Sequence, residues 1–367
     1  MAYKLAYLCS SMSWGGLEMN QLRNAMWMKR RGLPVCILGL DKSPLIIEAK
    51  KNNLNTICIK KHRKYYDFVA AYKLSRIIKK ESISHLIIRN TKDLSITSTI
   101  KFILGEKIKT AYFMEMQLGV NKKNIFHTLR FKGLDLWSCP LHFLSEQVKN
   151  KTYFNKKKIK VIGSGIDLSN INKYNTAESR KALDLPVDSF IIGLPGRIDP
   201  QKGQKLLLSA IKEIKEGNIH ILLMGDITKE EGNVYENEIM SIIKINSWEK
   251  KVHLRGHQND MSNFYSSIDC MVMASKSETF GMVTLEAISY GIPVIGSNAG
   301  GTPELLGGGK FGYLFESENQ SSLGEKIKEA YHNKKELNTR DLSNHLKRFD
   351  HNIVCDSIER ELSLKSI

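Results

Sequence analysis

Short apolar strand patterns alternate with helical stretches along this chain, and that alternation constrains the fold more than any other feature. Lys4 to Cys9 reads as a strand, Leu17 to Arg31 as a helix closed by Gly32, and Pro34 to Leu40 as the next strand. The rhythm returns at Leu86–Ile88, Thr110–Met114 and Phe190–Leu194. Such a succession is satisfied by parallel sheets covered by helices, an α/β architecture. A chain of 367 residues exceeds one ordinary domain, and 42% hydrophobic residues can fill two cores, so two such domains are expected. The six cysteines (Cys9, Cys36, Cys58, Cys139, Cys270 and Cys355) are scattered without a Cys-x-x-Cys pair. They read as reduced core thiols of a cytoplasmic protein. No signal peptide is recognised, and no apolar run approaches the roughly 20 residues of a membrane span.

Chemistry concentrates between Ser275 and Glu304, SKSETFGMVTLEAISYGIPVIGSNAGGTPE. Helical periodicity at Val283, Leu285, Ala287 and Ile288 predicts a helix from Gly281 to Tyr290, closed by Gly291 and stopped by Pro293. Glu278 then stands in the loop before the helix, with Thr279 and Phe280 after it, and Glu286 lies inside the helix. An ionised glutamate is acceptor-only with two oxygens, so Glu286 suits the two hydroxyls of a ribose. The amides of Gly281, Met282 and Val283 form a helix N-terminus, a seat for phosphate. A lone pair of glutamates at this spacing would read as solvated surface; the surrounding pattern is what argues otherwise.

A second cluster lies earlier, in GRIDPQKG from Gly196 to Gly203, between the strand Phe190–Leu194 and a helix predicted over Gln204 to Glu216. Arg197 brings a planar fork and Lys202 a compact charge, a fitting pair for the two phosphates of a departing nucleoside diphosphate. Alone, the segment is only a strand-to-helix loop with two cations.

Together these two tracts resemble the retaining glycosyltransferases of the GT-B fold, the large family four (group 1) type. The resemblance implies two Rossmann-like, doubly wound parallel-sheet domains facing a cleft. The first would span 1–166 with a C-terminal helix in 350–367 returning to it, and the second, donor-binding, 167–349. It implies transfer of a sugar from a nucleotide diphosphate sugar, UDP- or GDP-linked, to a lipid-linked or oligosaccharide acceptor of cell-surface polysaccharide. Arg197, Lys202 and the Gly281 helix end would stabilise the leaving diphosphate, Glu278 would contact the donor sugar, and Glu286 would hold the ribose. Gly15 and Gly16 would let donor or acceptor approach the backbone closely. The segment Val161–Asp167 is similar to the family's hinge strand. The base would stack where Val252–Arg255 runs into Gly256 and His257, with Met261 following. Relatives place a histidine after a strand of the first domain. Here the strand Thr110–Met114 meets Glu115 instead, and His127 follows in NKKNIFHTLRFKGLDLW, so either residue is a candidate for that contact. Asp93, after the strand Leu86–Ile88, is another candidate for the cleft.

Charge adds a partner. Residues 1–165 hold 31 Lys and Arg against 10 Asp and Glu, a net +21, whereas residues 166–367 hold 24 against 28, a net −4. The basic half implies an anionic partner. No nucleic-acid motif accompanies the charge, so the expected partner is an anionic membrane surface, and the expected location the inner face of the cytoplasmic membrane. Lys60-Lys61-His62-Arg63-Lys64-Tyr65-Tyr66 is the leading candidate patch. No Asp-x-Asp, Walker A, His-Glu-x-x-His or Gly-x-Ser-x-Gly sequence occurs, so no metal and no cofactor are expected. Rival readings are a nucleotide-sugar 2-epimerase of the same fold and a non-enzymatic basic protein that binds membrane or nucleic acid.

Overall fold

The computed structural model describes residues 4–215, 217–226, 234–258, 260–333 and 337–364. The chain divides into two compact units, 1–165 with 348–367, and 166–347. The dividing points lie one and two residues from the predicted edges.

In the first unit seven strands form one sheet: β1 (Leu5–Cys9), β2 (Val35–Leu40), β3 (Asn55–Ile59), β4 (His85–Ile88), β5 (Lys109–Phe113), β6 (Leu136–Cys139) and β7 (Ile159–Val161). Their order is β3-β2-β1-β4-β5-β6-β7, with every pairing parallel. The near-continuous apolar runs of β1 and β2 follow from burial on both faces. Period-two alternation sends Ala6 and Leu8 to one core, and Leu5, Tyr7 and Cys9 to the other.

The second unit holds β8 (Phe190–Pro195), β9 (Ile219–Met224), β10 (Val252–Arg255), β11 (Cys270–Met273), β12 (Val294–Ser297) and β13 (Gly312–Phe315). This sheet is also wholly parallel, in the order β10-β9-β8-β11-β12-β13. In each unit the strand order reverses beside the first strand, between β1 and β4 and between β8 and β11. Loops leaving the carboxyl ends of such neighbours diverge and open a crevice.

The C-terminal helix His351–Leu362 packs on the first unit, burying Val354, Cys355, Ile358 and Leu362 against the cluster of Leu5 and Tyr7. Arg31 also pairs with Asp356 and, at 2.6 Å, with Glu359. Partly exposed ion pairs contribute about 0–1 kcal/mol each, whereas each large apolar side chain buried contributes about 1.5–3 kcal/mol, so packing anchors the helix. Residues 365–367 of the predicted C-terminal segment lie outside the described residues, as does Glu216 at the predicted end of the helix observed over Gln204–Lys212.

Three expectations need correction. Cys58 is exposed rather than in the core, because β3 is an edge strand with an uncovered face. The predicted hinge strand Val161–Asp167 is strand only at Val161, where β7 ends. The run Lys60–Tyr66 is not one solvated face: His62 is buried against Asp93.

Candidate functional site

The crevice of the second unit gathers the two tracts singled out in the sequence. Gly196 and Arg197 leave the end of β8, and Ser275 to Phe280 leave the end of β11. Lys202 closes a single 3-10 turn, Pro200–Lys202, after which Gly203 at φ 77° starts the helix Gln204–Lys212. A Cβ at Gly203 would collide with the Ala274 carbonyl, so only glycine lets this loop pass under the β11 loop. Lys202 Nζ then lies 3.1 Å from Glu278 Oε2.

Glu278 is itself fixed. Its backbone bridges Gly300, and its carbonyl accepts from the Gly301 amide at 2.8 Å, which ties the loop to the turn after β12. Gly281 follows in the left-handed region, φ 80°, and starts the helix Met282–Ser289. The Met282 and Val283 amides that open this turn lie at the positive end of the helix dipole, where backbone donors lack intrahelical acceptors. Arg197 is solvent-facing, with Asp199 as a partner at 3.7 Å, while its backbone carbonyl is held by Gln204 Nε2 at 2.8 Å. The loop is therefore anchored while the guanidinium stays exposed to solvent.

Glu286 sits midway along the helix and accepts from the Tyr265 hydroxyl at 2.7 Å. Burial, reinforced by the Glu286 charge, raises the Tyr265 phenol well above its ordinary range, so it stays a donor. Tyr265 lies in the helix Ser262–Ser267, whose first turn starts at Met261, and its ring stands 5.0 Å from that of Tyr290. Tyr290 in turn bonds Ser262 at 2.9 Å. Sequence reasoning missed both tyrosines and also Asp226. The Asp226 carbonyl accepts from Ile198 at 3.0 Å and its carboxylate from the His257 amide at 2.9 Å, clipping together the loops after β8, β9 and β10. A signal existed for Asp226: it follows Gly225 at the end of an apolar run, where strand-end residues gather. Gly256 and His257 are exposed beside it.

The remaining candidates belong to the first unit. Gly15 caps the helix Gly16–Arg30, donating to Glu18 at 3.1 Å, and a Cβ on Gly16 would meet nothing within 4 Å, so this loop is open. Glu115 is buried in an ion pair with Arg89 and accepts from Asn20 at 3.3 Å. Burial raises its carboxyl above the usual range even against the nearby Arg89 charge. Its oxygens are committed to the protein, which is the arrangement of a residue that shapes a wall. His127 sits elsewhere, on the helix Ile125–Lys132, stacked on Phe131 with ring centroids 6.0 Å apart. Burial and Lys122 lower its pKa. The structure therefore does not bring Glu115 and His127 together. Among the described residues no group of three or more His, Cys, Asp or Glu could hold a metal ion.

Residues 175–347 match the family model described as glycosyl transferases group 1. The capsular polysaccharide biosynthesis glycosyltransferase CapM of Staphylococcus aureus is 28% identical over 194 residues, covering 50% of each chain. The N-acetylgalactosamine-N,N'-diacetylbacillosaminyl-diphospho-undecaprenol 4-alpha-N-acetylgalactosaminyltransferase of Campylobacter jejuni is 29% identical over 203 residues, 52% of this chain and 51% of that one. The chain thus spans about half the length of these curated relatives. Among solved structures, HepE of Anabaena in complex with UDP superposes with a TM-score of 0.87 at 20% identity, covering 98% of this chain and 99% of the other. A glycosyltransferase from Rickettsia africae gives 0.86 at 20% identity over 99% of both chains. The chain has the GT-B fold, and its second unit carries the match to group 1 glycosyl transferases.

Proposed function

We propose that this chain is a retaining, metal-independent glycosyltransferase of the family four type, transferring a hexose-type sugar from a UDP- or GDP-linked donor. The acceptor is a hydroxyl of a lipid-linked or oligosaccharide substrate in cell-surface polysaccharide assembly. The observation that carries the reading is the convergence, at one crevice, of Lys202, Glu278, the first turn of Met282–Ser289 and Glu286. The match to group 1 glycosyl transferases and the UDP bound in the HepE structure support it, and the Campylobacter relative supports a lipid-linked acceptor.

In this mechanism the bond between the anomeric carbon and the diphosphate oxygen breaks, and its electron pair leaves with the diphosphate. The acceptor hydroxyl attacks the same face through an oxocarbenium-like state and passes its proton to the departing oxygen, so configuration is retained. Lys202, Arg197 and the helix amides stabilise charge that grows as the bond breaks, where preorganised donors act most strongly. Glu278 accepts from donor-sugar hydroxyls and Glu286 from the ribose.

The first unit docks on the anionic inner face of the cytoplasmic membrane, and nucleic acid is not its partner. Supporting this, three helices packed side by side, Phe68–Lys80, Leu94–Leu104 and Ile125–Lys132, expose Phe68, Tyr72, Phe102, Ile125, Phe126 and Leu129. Exposed Lys64, Lys73, Lys123 and Lys132 surround them. Cations around interface-seeking aromatics suit an anionic bilayer. No helix among the described residues is long and apolar enough to cross a membrane.

A thermal-shift panel of UDP- and GDP-sugars tests the function. A true donor at ~100 times its Kd adds about 2.7 kcal/mol of stability. No response to any nucleotide sugar overturns the proposal, and donor turnover without acceptor would favour an epimerase.

A further inference from the structure

The switch point of the first unit carries its own crevice, of about 580 Å³, above the carboxyl ends of β1 to β4. Its polar lining comes from four successive strand ends: Ser10 and Ser11 after β1, Asp41 after β2, Lys61 after β3, and Asn90 and Lys92 after β4. These loops are held in place from beneath. The buried Asp93 carboxylate accepts from the Ser10 amide at 3.1 Å and from the Ser10 hydroxyl, and it meets His62 Nε2 at 2.9 Å. His62 Nδ1 faces the Arg63 carbonyl at 2.9 Å. Both ring nitrogens of His62 thus face oxygens, an arrangement that the doubly protonated ring satisfies against the Asp93 carboxylate. Burial works against that charge, but the bonds to Asp93 and Arg63 outweigh it, and the His62 pKa is raised. The His62–Asp93 pair is a neutral strut joining the loops after β1, β3 and β4.

With the strut neutral, the charge of the crevice comes from its rim. Neither Lys61 nor Lys92 pairs with a carboxylate among the described residues. Asn90 Oδ1 accepts from the Lys92 backbone amide at 2.9 Å, which leaves the side-chain amide hydrogens of Asn90 as donors. Asp41 stands on the same lining, 3.7 Å from Cys58 Sγ. Two ammonium groups and an amide donor answer a phosphate, which prefers charge-assisted bonds. The serine hydroxyls and the single carboxylate answer the hydroxyls of an adjoining sugar.

We infer that this crevice binds a phosphate-bearing sugar, so that the acceptor is recognised through a phosphate attached to its sugar. The inference rests on the transferase reading only in naming the ligand an acceptor. The same chemistry is offered by a soluble sugar phosphate and by a sugar on a lipid diphosphate.

Calorimetry on the full chain uses N-acetylglucosamine 1-phosphate, free N-acetylglucosamine and UDP as probes, with wild type, Lys61→Gln, Lys92→Gln and the double variant. The sugar phosphate binds wild type at least tenfold more tightly than the free sugar. The double variant loses at least tenfold of that affinity and keeps its affinity for UDP, which reports on the other unit and on intact folding. Equal affinity for free sugar and sugar phosphate, an unchanged double variant, or competition between UDP and the sugar phosphate overturns the inference. Binding of sugar phosphate without any binding of UDP sustains it and instead sinks the donor assignment. A kinetic arm separates the two sources: the double variant raises KM for a prenyl diphosphate-linked sugar if the phosphate is the lipid's, and for N-acetylglucosamine 1-phosphate if it is soluble.

Discussion

Lys202 Nζ is held 3.1 Å from Glu278 Oε2 by two loops that leave neighbouring strands on either side of the switch point of the second sheet. Both side chains are partly sheltered from solvent. In the proposed mechanism the carboxylate answers the Lys202 charge until an arriving diphosphate takes its place.

The first prediction follows from that pairing. Lys202→Ala and Arg197→Ala each lower kcat by about 10²–10³, the usual cost of removing one group that stabilises developing charge. Because the contact is strongest as the diphosphate departs, kcat falls and not KM alone. Near-normal kcat in both variants removes the diphosphate-clamp assignment.

The second concerns the division of labour between the glutamates. Glu286→Gln weakens the free nucleoside diphosphate by about tenfold, since a hydrogen bond to a charged group contributes about 1.5–3 kcal/mol. Tyr265→Phe reduces affinity less, by freeing the carboxylate rather than removing it. Glu278→Gln leaves nucleotide affinity in place and damages transfer. Calorimetry with UDP and GDP on all three variants decides, and a larger loss for Glu278→Gln reverses the assignment.

The fold was legible because parallel α/β units write themselves locally. Strand runs such as Phe190–Leu194 and the helix after Gly281 need only near neighbours to be recognised, and both fall within a residue of where the structure has them. Glycine and charge in GRIDPQKG and the Glu278–Glu286 spacing were legible for the same reason. What stayed hidden depends on separation along the chain. Tyr265 reaches Glu286 across 21 residues and Asp226 reaches His257 across 31. The sequence also does not show that Arg89, 26 residues away, pairs with the Glu115 carboxylate. His62 looked like part of a basic surface run, since only the fold brings Asp93 beneath it.

Activity should survive excess EDTA. The chain has no Asp-x-Asp to hold a metal on the diphosphate, and Lys202, Arg197 and the helix amides occupy that role in the proposed mechanism. Turnover measured before and after chelation tests it. Loss of activity restored by Mg²⁺ or Mn²⁺ means that a metal neutralises the leaving group.

The docking of the C-terminal helix is pH-sensitive through His85. Its Nε2 lies 3.1 Å from the Leu362 carbonyl and its Nδ1 2.9 Å from Ser84 Oγ, in a buried site. Burial lowers its pKa to about 4, so the folded protein keeps the ring neutral where the unfolded chain would charge it. The stabilisation is complete above the unfolded value of about 6.5 and drains away as pH falls from there towards about 4. His85→Gln removes this component: its Tm, plotted against pH beside that of wild type, falls less steeply over that interval. Parallel curves would exclude the histidine as the cause.

In the proposed membrane docking, aromatic and cationic side chains act together. Phe102, 88% exposed, and Phe68 and Phe126, each 66% exposed, stand on the adjacent helices of the first unit. The Tyr66 hydroxyl, which donates to the Phe126 carbonyl at 3.0 Å, braces the loop before the first helix against the third. Each basic residue near an anionic surface contributes about 1 kcal/mol, and the attraction decays within a Debye length of about 8 Å at physiological salt. Inserted aromatic rings add an apolar component that salt does not screen. The two contributions therefore separate in one co-sedimentation experiment with vesicles containing phosphatidylglycerol. Replacing Lys60, Arg63 and Lys64 by Ser reduces the salt-sensitive part of binding, whereas Phe68→Ser with Phe126→Ser weakens binding even at high salt. Lys61 is left in place because it lines the crevice above β1 to β4. Equal binding to neutral and anionic vesicles, or no effect of either set of substitutions, assigns this face to something other than a membrane.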